Sequence, residues 1–345
     1  MRIAHWIMQA GVYKTINMVI VELERILKRT RLVGKPYYYF IDPCSYCNLR
    51  CPLCATGAGT HQRLQRMLGL VDYGILLDKI APFAVTVALH NWGEPLLNPE
   101  VFKMIRMTSD RKIQTVMSSN LNTEYERLGE EIVASGLSRL IVSLDGVTQE
   151  VYQKYRLGGD IELVFDNINK IITAKNSSGL ETPVIEWQFL VFKHNEHEIP
   201  YAKELAERLR VDQFVCRPAN FPYDHYSFIN QARMEEEEVT WMPTDPKYWE
   251  THPGVFKRKG YLWKGACHYL YRGMSIAPDG SVSPCCYDYS NRQDFGNLKG
   301  DNLNELWNSP AYQRSRRLFA GSPATSSGTI CEGCFLFQRV PVIRM

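Results

Sequence analysis

Eighteen consecutive apolar residues occur nowhere in the chain, so no segment reads as a helix that crosses a membrane. The amino terminus also lacks a basic region followed by an uninterrupted apolar stretch and a small-residue cleavage site, the mark of a secretory signal. Without that mark the ten cysteines are not read as the disulfide framework of a secreted domain, and a reducing cytoplasm is the expected compartment. An excess of one charge sign is missing as well. The formal net charge is +3 and the basic residues are scattered, which sets nucleic acid aside as the main partner. What is present suits a folded chain: 45% of residues are hydrophobic and 22% charged, enough to bury a substantial core.

Four regions are expected. Residues 1–34 read as a helical extension, with Ile3, Trp6, Ile7, Ile16, Val19, Ile20, Leu23, Ile26 and Leu27 near helical spacing and Arg25, Lys28, Arg29 and Arg31 at the end. Such a face needs a partner. Docking against the main domain or a second subunit is expected, and peripheral association with anionic lipid is the alternative. From "KPYYYFID" onward, strand-like runs alternate with helical stretches: "FAVTVALHNW", "IQTVMSSN", "LSRLIVSLDG", "VIEWQFLVF" and "VDQFVCRP". Parallel strands need long crossovers and are buried on both faces, so continuous apolar runs imply a parallel sheet. A partial (β/α)6 barrel of TIM type over residues 35–220 follows, in an α/β fold. Residues 221–266, with "MEEEE", several prolines and Tyr223, Tyr226, Trp241, Tyr248, Trp249, Tyr261 and Trp263, read as a linker or lid over the barrel mouth. Residues 267–345 read as a small cysteine-bearing domain: a hairpin at Asp279-Gly280, a helix "NLNELWNSPAYQRSRRL", then "CEGC".

"DPCSYCNLRCPLC" places Cys44, Cys47, Cys51 and Cys54 close together. A structural zinc site, a disulfide pair and an iron–sulfur cluster all use such thiols. Position favours catalysis over scaffolding, because the stretch follows the first strand of a barrel-like series, where active-site loops belong. The spacing Cys47-x3-Cys51-x2-Cys54, with Asn48, Arg50 and Pro52 between, resembles that of radical S-adenosylmethionine enzymes. Three thiolates can hold a four-iron cluster and leave one iron open to an external ligand. In that family the open iron chelates S-adenosylmethionine, whose reductive cleavage gives a 5′-deoxyadenosyl radical that abstracts hydrogen from substrate. Cys44 falls outside the triplet and is read as non-ligating.

The resemblance implies further roles. "NWGEP" resembles the glycine–glutamate motif, with Gly93 leaving the backbone open and Glu94 accepting hydrogen bonds from the methionine ammonium, although Trp92 stands where many relatives have glycine. "SSN" and "SLDG" point to Ser119, Asn120, Ser143 and Asp145 as holding the ribose and methionine parts, with a turn-only role open for Asp145-Gly146. "VYQKYRLGG" implies Arg156 as partner of the methionine carboxylate, and "VFKHNEHEI" implies Asn195 near adenosine, with His194 and His197 as solvated loop residues.

Cys267, twelve residues, Gly280, four residues, Cys285, then Cys331-x2-Cys334 resemble the twitch domain, the shortened form of the SPASM domain. The resemblance implies one auxiliary four-iron cluster on these four thiolates, a zinc ribbon being the alternative. Cys286 is read as a bystander. Cys216, at the carboxyl end of the sixth strand, is either an ordinary buried cysteine or a catalytic hydrogen donor.

The expected activity is radical cleavage of S-adenosylmethionine and oxidation of a small, polar, carbohydrate-like molecule, with a flavodoxin- or ferredoxin-type electron donor. A maturase or epimerase acting on a ribosomally made peptide is the runner-up. A non-catalytic metal-binding module is the alternative of a different class.

Overall fold

The computed structural model describes residues 3–61, 63–218, 240–248, 267–288, 293–320 and 326–334. Six parallel strands alternate with helices: β1 Tyr38–Ile41, β2 Thr86–Ala88, β3 Gln114–Ser119, β4 Arg139–Ser143, β5 Val184–Val191 and β6 Gln213–Pro218. Between them run α2 Leu70–Ile80, α3 Val101–Asp110, α4 Leu128–Ala134, α5 Gln149–Tyr155, α6 Ile161–Ser178 and α7 Ile199–Leu209. The sheet order is sequential from β6 back to β1, as right-handed βαβ crossovers produce.

Local signals set the helix ends. Thr148 caps α5 by accepting from Val151 N, and Asp160 caps α6 by accepting from Glu162 N and Leu163 N. The last turn of α6 closes on Gly179 at φ 65°, a left-handed position that glycine adopts without steric cost. The expected helix over 302–318 is two helices, Leu303–Trp307 and Pro310–Phe319. Proline at 310 cannot continue the first helix but starts the second, capped by Ser309.

The sheet does not stop at β1. Strand β7, Gly273–Ile276, pairs parallel with β1 in the register Tyr38↔Gly273, and β8 (Ser281–Ser283) and β9 (Gly296–Asn297) extend it antiparallel. The cysteine-bearing carboxy-terminal segment therefore continues the nine-stranded sheet.

Alternation sorts side chains into two sets. Tyr39, Ile41, Val87, Met117, Leu140, Val142, Trp187 and Phe189 are buried in the core under the helices. Their neighbours Tyr38, Gln114, Ser118, Arg139, Ser143, Glu186 and Gln188 take the opposite face, toward the barrel interior. Cys216 pairs with Phe189 in register and packs with it against the core.

Helix α1, Ile3–Ile26, bends at Gly11, where φ is 75°. Its polar side chains hold it to the protein. Asn17 exchanges two hydrogen bonds with the Lys35 backbone, and Glu24 accepts from Val33 N and Gly34 N. Glu22 accepts from Arg272, Tyr37 and Arg25. Burial opposes ionisation of Glu22, but these donors hold its carboxyl down at about 2. The apolar face does not dock against the main domain: Ile16, Val19 and Leu23 are each 54% exposed. Helical periodicity reveals a stripe but not which side meets the protein.

Most of the expected lid, with Tyr223, Tyr226, Trp249, Tyr261, Trp263 and the acidic run, lies outside the described residues.

Candidate active site

The loop after β1 carries the cysteine triplet. It is packed in an apolar shell of Leu49, Leu53, Tyr155 and Phe192, with Trp241 of the expected lid laid against it. Nitrogen donors converge on the sulfurs: Leu49 N lies 3.4 Å from Cys47 Sγ, Asn120 Nδ2 3.6 Å from the same atom, and Arg156 Nη1 3.8 Å from Cys51 Sγ. Burial pushes the free Cys47 thiol up to about 12, with the Glu94 charge adding to the effect. Donors on sulfur, a dry shell and an electropositive neighbour suit thiolates bound to iron. Among the described residues no three His, Cys, Asp or Glu side chains could share one metal ion. A tetrahedral zinc, with Zn–S of about 2.3 Å, would draw its sulfurs to within roughly 3.8 Å of one another. The larger cube of an iron–sulfur cluster fits a wider setting.

Gly93 has a steric reason to be glycine. A Cβ there would lie 1.9 Å from the Cys44 carbonyl oxygen, so the loop can pass this close to the cysteine segment only without a side chain. Asp42, at the end of β1, accepts from Trp92 N and Gly93 N and fixes the same loop. Burial pushes its carboxyl up to about 7 against those two donors. Sequence reasoning missed Asp42, although its place directly before the cysteine loop was visible.

Glu94 is buried and accepts from Ser119 Oγ (2.7 Å), Leu96 N (3.1 Å) and Asn120 N (2.9 Å). A carboxylate has about four acceptor positions, so one remains for a ligand. Burial raises its pKa, opposed by these donors. Ser119, Asn120 and Glu94 thus form one unit spanning two strand ends. Ser143 Oγ lies 3.2 Å from Ser118 Oγ, and Ser118 N donates to His90 Nδ1 at 3.1 Å.

Asp145 is fully buried. It takes Arg156 Nε on Oδ2 at 2.6 Å and Leu190 N on Oδ1 at 2.7 Å. Burial raises its pKa while the Arg156 charge lowers it. This carboxylate aims the guanidinium, whose Nη2 keeps free donor capacity beside the thiols. Asn195 is also fully buried and donates to Asp145 O and Leu190 O while accepting from Phe192 N. Its place is under the Asp145 strand end, as a support. His194 stacks on Phe192 rather than standing in solvent.

A single cavity is lined by Cys47, Cys51, Cys54, Glu94 and Arg156 on one side and by His90, Ser118 and Ser143 on the other. His90 was missed because a lone histidine after a strand carries no spacing signal. Burial pushes its imidazole down to about 4, so it is neutral at physiological pH. The unfolded chain takes up the proton first as pH falls below 6.5, and stability contributed by neutral His90 is lost between there and about 4. Urea midpoints measured across that range are expected to fall, and His90→Gln to remove roughly 2 kcal/mol of the fall. Equal slopes in the two proteins would contradict this.

Deeper in the barrel, Glu186 is shared by Arg139 (2.9 Å) and Arg217 (3.4 Å). Two guanidiniums on one carboxylate leave donors over for an anionic group. Cys216 faces away from this interior, and burial pushes its thiol up to about 11.

At the other end, Cys267 and Cys331 are buried and Cys285 and Cys334 half-buried. Burial raises the Cys285 pKa first, and the charges of Cys286, Cys334, Cys331 and Cys267 raise it further, so these thiols are neighbours of Cys285. The Tyr312 hydroxyl beside Cys285 and Cys331 is buried without a hydrogen-bond partner. A cluster sulfur would accept from it, so the residues fit an auxiliary cluster.

A family model described as the radical SAM superfamily matches residues 41–185, and one described as an iron-sulfur cluster-binding domain, SPASM, matches 267–335. A probable GTP 3′,8-cyclase of Methanocaldococcus jannaschii is 28% identical over 278 residues, 74% of this chain and 88% of that one. An AdoMet-dependent heme synthase of Methanosarcina barkeri is 29% identical over 164 residues, 47% of this chain and 45% of that one. The fold is similar to that of Streptococcus suis SuiB bound to S-adenosylmethionine, with a TM-score of 0.61 and 17% identity over 86% of this chain and 71% of that one. Native anSMEcpe with bound AdoMet gives 0.56 and 16%, over 82% and 84%. The barrel with its cysteine triplet and the sheet extension with its four thiols together make this chain a member of the radical S-adenosylmethionine superfamily with a SPASM iron–sulfur domain.

Proposed function

We propose that this chain oxidises a small polar molecule by hydrogen-atom abstraction. The observation that carries the reading is the shared cavity, in which the triplet thiols, Glu94 and Arg156 face His90, Ser118 and Ser143 across one space. Cysteines 47, 51 and 54 would hold one four-iron cluster, and Cys267, Cys285, Cys331 and Cys334 the auxiliary one. Bound there, the first cluster and S-adenosylmethionine supply a 5′-deoxyadenosyl radical. Glu94 holds the methionine ammonium with its remaining acceptor position, and Arg156 holds the carboxylate with Nη2. The triplet's apolar shell keeps water from the reacting centre.

Oxidation is supported by the auxiliary site, since after hydrogen abstraction the substrate radical must lose an electron and a proton; a cluster at the barrel's edge would receive the electron, and a base or water at the cavity the proton. A twitch-like single auxiliary cluster accounts for all four carboxy-terminal ligands. Cys216 packs against the core, which favours oxidation over epimerisation, because a hydrogen donor must face the substrate. The Arg139–Glu186–Arg217 group suits a substrate bearing a carboxylate or phosphate. A flavodoxin or ferredoxin would deliver the electrons.

Anaerobically reconstituted protein is expected to hold about eight irons per chain, two four-iron clusters, and to form 5′-deoxyadenosine with dithionite and S-adenosylmethionine. Cys285→Ala is expected to lower iron to about four while keeping that activity, since it removes only the second cluster. A product two hydrogens lighter than substrate completes the test. Zinc in place of the second four irons, or a product of unchanged mass, would overturn the oxidative reading.

A further inference from the structure

Helix α1 is amphipathic the wrong way round for a helix that merely caps a domain. Its polar residues Asn17, Glu22 and Glu24 bind the protein beside the buried Val21, and the apolar residues of the opposite face meet water. Val12, Ile16, Val19, Leu23 and Ile26 advance by four, three, four and three residues, which lines them along one face. They are 78, 54, 54, 54 and 65% exposed, and Leu27 beside them is 64% exposed. Single exposed apolar residues need no explanation, but a contiguous stripe does.

We propose that this face docks the protein onto an anionic membrane surface. Charge selects the occupant. Glu22 and Glu24, the acidic residues between positions 12 and 31, are both turned inward to Arg272 and to the backbone of Val33 and Gly34. Lys28, Arg29 and Arg31 are exposed just past the helix end. Lys28 turns back at φ 52°, with Arg29 N bonded to Glu24 O, so the cationic group starts where the stripe ends. An apolar stripe with basic residues at its end and no outward acid matches a bilayer interface with anionic headgroups. A second copy of the same helix would bring like charges together, and the stripe covers only about two heptads, short for a coiled coil. The hydrogen bonds at Asn17, Glu22 and Glu24 hold the face in a fixed orientation, so the stripe is displayed without unfolding anything.

The test is flotation of the full-length protein with vesicles of phosphatidylcholine containing phosphatidylglycerol, against phosphatidylcholine alone, at low and high salt. Binding to the anionic vesicles, weakened by salt, is the expected result. Ile16→Asn/Leu23→Asn is expected to weaken it at least about tenfold, and Lys28→Gln/Arg29→Gln/Arg31→Gln to remove the preference for anionic lipid. Circular dichroism and iron content check that both variants stay folded. Wild type that stays unbound on anionic vesicles overturns the proposal. So does a sedimentation dimer that Ile16→Asn/Leu23→Asn dissociates while flotation is unchanged, which assigns the face to a second copy.

Discussion

Alanine in place of Cys47, Cys51 or Cys54 is expected to abolish reductive formation of 5′-deoxyadenosine, whereas Cys44→Ala should keep most of it. The four thiols lie within eleven residues, so sequence distance does not separate them. Their surroundings do. Cys44 is fully buried and donates from Sγ to the Glu94 carbonyl at 3.0 Å. It is a neutral donor that fastens the cysteine loop to the Glu94 loop. Cys47 and Cys51 instead receive donors from Leu49, Asn120 and Arg156, the arrangement a thiolate needs. Loss of the buried Cys44 hydrogen bond costs about 1 kcal/mol of stability, too little to unfold the chain. The measurements are iron content and chromatographic yield of 5′-deoxyadenosine after reconstitution of each variant. A Cys44→Ala protein that loses both, beside a triplet member whose removal changes neither, would reassign the ligands.

What could be read from the sequence was what depends on short spacing. The cysteine triplet, Gly93-Glu94 and the four carboxy-terminal cysteines are local patterns, and the barrel follows from apolar runs alternating with helical ones. The pairing of β7 with β1 was not legible, because a parallel partner more than two hundred residues away leaves no mark on either strand. The face taken by Cys216 depends on parity along β6 relative to Phe189, and parity cannot be settled until the register is known. Asp145 and Asn195 were singled out by their neighbourhood, but the partners of Asp145, Arg156 and Leu190, come from two other segments. A sequence shows such residues as polar positions near a motif. Only the fold separates a ligand contact from the support beneath it.

That distinction gives the Asp145–Arg156 pair a measurable signature. Asp145 is wholly buried, and its ion pair with Arg156 is 2.6 Å long. Removing one partner of a buried pair leaves an uncompensated charge and costs about 3–5 kcal/mol. Asp145→Ala is therefore expected to lower stability by that amount and to release Arg156 from its aim. Arg156→Gln leaves Asp145 with the Leu190 amide as its remaining donor, and burial raises its pKa. Protonation then relieves part of the cost, so this variant should be the more stable of the two at low pH. Both should weaken S-adenosylmethionine binding, by roughly 1.5–3 kcal/mol where the charged hydrogen bond itself is lost. The double variant Asp145→Asn/Arg156→Gln separates support from contact, since it removes both charges together. Its stability should recover toward wild type, by a coupling of up to about 3 kcal/mol, while its affinity for S-adenosylmethionine stays as low as that of Arg156→Gln. Urea denaturation and equilibrium binding on the reconstituted proteins provide the two readouts. Affinity restored along with stability in the double variant would show that the pair only holds the fold and that Arg156 does not touch the cofactor.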